Sequence, residues 1–264
     1  MKLLLALAIV LLPLSAANAG LTPDQLSKVA IRTPVGAALP EGVRFKTMGG
    51  ASTTIGAVLA GKPALVVFAD YTCHMLCGPV LAMASGALHA SGLTPDKDFR
   101  FVVIGIDPKD TPADARKMED REVGDPALRH DAVFLMGNKH ATAAATEAVG
   151  YSYVYDAEHD QYAHPTAAFA VTPTGKVSQV LTSVGIEPES VRLALVKASK
   201  GSVGNLGDRI RLLCYGFDPA TGLYSASVML WLRIGGLATV LVLGGGLAWF
   251  ALRRRRNDEG NATP

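Results

Sequence analysis

The sequence predicts an exported α/β domain, its parallel strands first and an antiparallel hairpin last, followed by a single C-terminal transmembrane helix. Three observations predict it. Continuous apolar runs of strand length alternate with helical stretches that open on proline or a capping residue. A short apolar leader opens the chain, and an uncharged apolar stretch lies near its end. With 49% hydrophobic and 18% charged residues, the 264-residue chain is too apolar for a disordered protein, and three cysteines are too few for a disulfide-stapled miniature.

The two ends come first, because they set the compartment. Lys2 is a short positive region, Leu3–Leu14 an apolar run, and Ala17-Asn18-Ala19 a small-x-small cleavage pattern, so residues 1–19 read as a signal peptide. Ile234–Leu252 is 19 residues without a charge, long enough to cross the hydrocarbon core, with Trp231 and Trp249 near its two ends. Arg253, Arg254, Arg255 and Arg256 follow at once, and the positive-inside rule keeps them in the cytoplasm. The expectation is an inner-membrane protein with its ectodomain in the periplasm and its C-terminus in the cytoplasm. Its parts are residues 20–61 (N-terminal strands and loops), 62–200 (the main domain), 201–229 (a connector), 230–252 (the membrane helix) and 253–264 (the tail). The whole chain carries +2, but the basic residues gather at the ends, and residues 20–232 carry −2. A basic face for nucleic acid is therefore not supported, and no nucleic-acid partner is expected.

Within the main domain each element has a local reason. Ala64–Phe68 is a continuous apolar run, as in a strand buried on both faces. Pro79 opens a helix to about His89. Phe101–Ile106 is a second buried strand ended by Asp107-Pro108, and Thr111-Pro112 caps a helix running to about Val123. Ala132–Met136 is a third strand, Ala141–Val149 a helix, and Tyr151–Tyr155 a further short strand. Thr166–Val171 and Val177–Leu181 form a hairpin across Thr172-Pro173-Thr174-Gly175, and Pro188–Ser199 is the closing helix.

The reactive residues are few. Cys73 and Cys77 form a C-x-x-x-C where the first buried strand meets its helix. Thiols at a helix N-terminus face the positive end of its dipole, which favours thiolate, the form that binds soft metals and exchanges with disulfides. In an exported protein the same spacing also admits an inert disulfide or two buried structural cysteines.

The surroundings of the pair carry a resemblance. Phe68-Ala69-Asp70-Tyr71-Thr72-Cys73-His74-Met75-Leu76-Cys77-Gly78-Pro79, Val103–Pro112, and Tyr162-Ala163-His164-Pro165 with the hairpin after it occur in that order. Together they resemble the Sco/SenC family of copper chaperones, thioredoxin-like proteins that assist cytochrome c oxidase assembly. The resemblance covers about residues 62–199 and implies a thioredoxin-like fold. It implies copper, Cu(I) or Cu(II), held by Cys73, Cys77 and His164, and cytochrome c oxidase subunit II as the partner. Two thiolates suit Cu(I), and an added imidazole suits either oxidation state. The family usually has proline after each cysteine; here His74 follows the first, and Gly78 separates the second from Pro79.

Other residues rank lower. His74 and Met75 lie between the cysteines, either within reach of an ion or as loop and core residues. Asp70 and Asp107 end adjacent strands, placed either for hydrogen bonds behind the ligands or for ordinary solvation. His159 sits in a polar loop; His89, His130 and His140 have no partner pattern and read as surface residues. Cys214 in the connector reads as a packed thiol. Two functions use the same pair: a membrane-anchored chaperone delivering copper to the dinuclear site of subunit II, or a thiol-disulfide oxidoreductase, with Cys73 and Cys77 redox-active, reducing the cysteines of that site. A sensor acting on a membrane partner is a third, with little output machinery in the short arginine tail.

Overall fold

The computed structural model describes residues 21–73, 77–182 and 185–201, together with 217–218, 223–224, 234–237, 239 and 242–243; of Cys77 it describes the backbone. The expected signal peptide and tail lie outside the described residues, as do His74, Met75, Cys214 and most of the connector and of the expected membrane segment. Among the described residues no helix is long and apolar enough to cross a membrane.

The N-terminal stretch, read from sequence as strands and loops, also holds two short helices. A capping box of Thr22 and Gln25 starts α1 (Pro23–Leu26). After β1 (Ala30–Ile31), β2 (Arg44–Thr47) and β3 (Ser52–Thr54) form an antiparallel hairpin, and Thr54 then caps α2 (Ile55–Leu59). The first apolar run is β4 (Ala64–Ala69), buried at every residue. It leads into α3 (Cys77–Ala90), which starts two residues before the expected Pro79, so that Cys77 is its first residue. Next come β5 (Arg100–Gly105) and α4 (Pro112–Glu122), the latter capped by Thr111 as its sequence predicts. A six-residue helix not read from sequence, α5 (Pro126–Asp131), is capped by Asp125. Then follow β6 (Val133–Met136) and α6 (Lys139–Ala148).

The single strand expected over Tyr151–Tyr155 is two. β7 (Tyr151–Ser152) pairs with β1, whereas β8 (Val154–Asp156) forms its own antiparallel ribbon with β9 (Gln161–Ala163). The final hairpin is β10 (Ala167–Val171) and β11 (Val177–Thr182), and α7 (Pro188–Ser199) closes the domain. Short strands β12 (Phe217–Asp218) and β13 (Leu223–Tyr224) pair within the connector.

One seven-stranded sheet organises these elements, in the order β11-β10-β4-β5-β6-β2-β3. Strands β4, β5 and β6 are parallel, and antiparallel pairs close both sides: β10 with β11 at one edge, β2 with β3 at the other. The second hairpin escapes a sequence reading because β2 is mostly polar and only Phe45 within it is buried. Side-chain alternation along β4 divides the core in two. Leu65, Val67 and Ala69 pack with Val80, Leu81 and Leu88 of α3, Met118 of α4 and Leu195 of α7. Ala64, Val66 and Phe68 pack on the other face with Leu59 of α2 and Ala145 of α6.

Gly150 fixes one junction. It lies at φ +69°, and an added Cβ would run into the Arg32 carbonyl. The close approach lets the Arg32 N–H donate to the Gly150 carbonyl at 2.7 Å, which holds the chain after β1 against the start of β7.

Candidate metal centre

The site begins where the buried central strand ends. Directly after β4, Asp70 turns the chain: the Cys73 N–H donates to the Asp70 carbonyl at 3.2 Å. The Thr72 N–H and hydroxyl donate to Asp70 Oδ1 at 3.0 and 2.8 Å. The turn places Cys73 in the core beneath the start of α3, 5% exposed. Tyr71 anchors it from below, its hydroxyl 3.0 Å from the Val103 carbonyl and 2.9 Å from that of Leu135.

The second arm comes from the segment before β10, the antiparallel neighbour of β4 in the sheet. His164 lies between β9 and β10, half-buried. Asp70 ties the arms together, because its other oxygen, Oδ2, accepts from the Tyr162 N–H at 3.0 Å. One fully buried carboxylate therefore bonds both the loop that carries Cys73 and the strand that precedes His164. Burial pulls the His164 pKa below its usual value; the Pro165 carbonyl, and after it Cys73 and Asp70, act in the opposite sense and do not prevail. A neutral imidazole results, the form in which histidine binds metals. Its Nδ1 lies 2.7 Å from the Tyr151 hydroxyl and 3.1 Å from the Pro165 carbonyl.

Of the three candidate ligands, Cys73 and His164 are close enough to interact electrostatically although 91 positions separate them in sequence. Cys77 is placed by its backbone, as the first residue of α3. Asp70 and Asp107 are buried and hydrogen-bonded, which decides against strand-end solvation: Asp107 Oδ1 accepts from the Lys109 N–H at 2.8 Å. His89, His130 and His159 are exposed and each contacts an acidic neighbour, Asp125, Asp131 and Asp156 respectively. His140 is exposed as well.

An open cleft of about 280 Å³ adjoins the turn, lined by Thr72, Asp107, Lys109, His159, Asp160 and Gln161. Lys109 spans it to pair with Asp160 in the loop joining β8 to β9, and its ammonium sits 5.4 Å above the Tyr155 ring. Beneath the cleft, Asp70, Asp107 and Asp110 bring carboxylate oxygens within 4.8 Å of one another. Burial, and then the charge on Asp70, push Asp110 up to about 8, against the opposing Tyr71 N–H, so Asp110 is largely protonated at neutral pH. With Asp70 spent on three donors and Lys109 beside Asp107, this trio holds the turn in shape.

Sequence reading missed Tyr151 and Asp110 as members of the site. Tyr151 carried only a strand signal, and Asp110 only a place in a turn next to a helix cap.

The SCO1/SenC family model matches residues 41–198, more than half of the chain. The chain belongs to the SCO1/SenC family. No curated protein sequence matches it. Among solved structures, it is similar to a putative electron transfer protein from Aquifex aeolicus, with a TM-score of 0.56 and 17% identity over 66% of this chain and 98% of that one. An SCO1/SenC family lipoprotein from Bacillus anthracis aligns with a TM-score of 0.52 and 19% identity, over 63% of this chain and 99% of that one. Copper-bound ScoI from Arabidopsis thaliana aligns with a TM-score of 0.51 and 16% identity, over 64% and 99%. At these identities the likeness shows the fold: the mixed α/β, thioredoxin-like architecture of the SCO1/SenC family.

Proposed function

We propose that this protein binds copper in cytochrome c oxidase assembly, as a membrane-anchored chaperone that delivers the ion to the dinuclear site of subunit II. The observation that carries the reading is that the fold brings buried Cys73 within electrostatic range of His164, from a loop 91 positions away in sequence. With Cys77 four residues further on, the donor set becomes two sulfurs and one imidazole, which suits copper better than the nearby carboxylates do. Family membership and the copper in the Arabidopsis structure support the same reading. A thiolate at Cys77 would gain from the N-terminus of α3, and that also favours the second reading, a thiol-disulfide oxidoreductase acting on the cysteines of the same subunit.

Membrane anchoring through residues 230–252, with the ectodomain in the periplasm, rests on the sequence. It is supported by Ile234, Leu237, Val242 and Leu243, which are helical and exposed. Reporter fusions at Ser202 and Asn257 should report opposite compartments, and equal signals would end that topology.

X-ray absorption of the copper-loaded ectodomain tests the ligands: sulfur and imidazole scattering is expected, and its lack rejects the site. His164 separates the two functions, since dithiol exchange needs no imidazole bond. In a strain lacking this gene, a folded and anchored His164→Ala protein should fail to restore oxidase activity. Full rescue without added copper would reject delivery in favour of the oxidoreductase.

A further inference from the structure

The Tyr151 hydroxyl oxygen lies within hydrogen-bond distance of two groups, His164 Nδ1 at 2.7 Å and the Pro165 carbonyl at 2.8 Å. A phenol has one proton to give, and a carbonyl can only accept. The proton facing Pro165 comes either from Tyr151, which leaves the contact with His164 to a proton on Nδ1, or from Nδ1 itself at 3.1 Å; both arrangements place the imidazole proton on Nδ1. The reverse arrangement, Tyr151 donating to Nδ1, sets the Pro165 oxygen against unprotonated atoms at 2.8 and 3.1 Å. That would leave a half-buried acceptor facing lone pairs, a cost both of those arrangements avoid.

The hydroxyl oxygen itself is held in place. Tyr151 is 2% exposed, its ring packed 4.8 Å from that of Phe68 and 6.0 Å from that of Phe169, centroid to centroid. Its backbone is registered against Ile31 in the β1–β7 pair. The core of the domain thus sets the position of the oxygen that reads the imidazole.

We propose that Tyr151 is a positioning residue for the metal site: its hydroxyl, relayed to the Pro165 carbonyl, keeps the His164 proton on Nδ1 and makes Nε2 the metal-binding nitrogen. The role rests on the copper reading above. Histidine ligands generally owe their tautomer and orientation to such a bond at the other nitrogen, and losing the partner typically costs about 10–100-fold in metal affinity.

The test needs no variant at first. Nitrogen-15 NMR of the metal-free full-length protein should show His164 with a protonated Nδ1 and an unprotonated Nε2; the opposite pattern overturns the proposal. Tyr151→Phe keeps the ring and its packing. It should lower copper affinity by about 10–100-fold and move both nitrogen signals towards a tautomer mixture. Unchanged affinity together with unchanged signals overturns the role. His164→Ala separates the two claims. If copper affinity is unchanged in it, His164 is not a ligand and this role fails, whatever the nitrogen spectrum. If copper affinity falls while wild-type His164 carries its proton on Nε2, the copper reading stands and only the tautomer assignment fails.

Discussion

Cys73 and His164 are brought within electrostatic range of each other by different means. Cys73 hangs from the end of β4, an interior strand of the sheet, and its turn is closed by the backbone and side chain of Asp70 and by core packing. His164 follows the two-stranded β8–β9 ribbon, outside the main sheet, and side chains hold it: Asp70 on Tyr162, Tyr151 on the ring, Lys109 on Asp160. The comparison teaches that the sulfur side is set by folding itself, whereas the imidazole side is adjustable. Changes at His164 and on the β8–β9 ribbon are therefore expected to disturb the fold less than changes in the Asp70–Cys73 turn do.

The largest effects should come from the candidate ligands. Cys73→Ala is expected to abolish tight copper binding, and His164→Ala to weaken it well beyond the about 10–100-fold cost of losing a ligand's neighbour. Calorimetric titration with Cu(I) under reducing conditions reads both. Wild-type affinity in either variant would remove that residue from the site.

Asp70→Ala should break the comparison, since it releases both arms at once. It orphans the Thr72 and Tyr162 N–H groups, at about 1–3 kcal/mol each, so the melting temperature and copper affinity should fall together. A variant with native stability and weak copper binding would mean that Asp70 serves the metal alone.

Asp110 sharpens the comparison through pH. Its pKa is raised from 3.8 to about 8 in the folded protein, so between those values the folded state holds a proton that the unfolded chain has lost. Wild-type stability should then decline as pH rises from about 4 to about 8, by a few kcal/mol in all. Asp110→Asn cannot ionise and should remove that decline. Denaturant unfolding across the range checks it, and parallel slopes for the two proteins would contradict a raised pKa.

Lys109→Ala should have the smallest effect. Its pair with Asp160 is exposed, and such pairs add little to stability. Little change in melting temperature is expected, with faster hydrogen exchange confined to residues 154–163. A large loss of global stability would show that the ribbon belongs to the core.

These two arms also differ in how far the sequence announces them. Ala64–Ala69 and Arg100–Gly105 stand out because central parallel strands are apolar on both faces, and Thr111-Pro112 states a helix start outright. The hairpin of β2 and β3 does not stand out, being an edge with one buried phenylalanine, nor does α5, whose six residues are too few to show a period. At the site, C-x-x-x-C is visible as spacing. His164 was picked out only by family resemblance, because nothing local marks one histidine among six. Tyr151 and Asp110 depend on contacts across 13 and 39 positions, and no window of sequence holds such pairs.

The tight seat of Gly150 against Arg32 extends the site's vulnerability beyond its ligands. Any side chain at position 150 would force the Arg32 carbonyl away and shift the next residue, Tyr151, whose hydroxyl touches the His164 ring. A natural variant with alanine or serine there would retain every candidate ligand and yet read as a copper-handling defect. Mutational tolerance at position 150 should consequently track that of His164 more closely than that of the exposed glycines, and a saturation screen scored separately for folding and copper uptake would reveal the pairing.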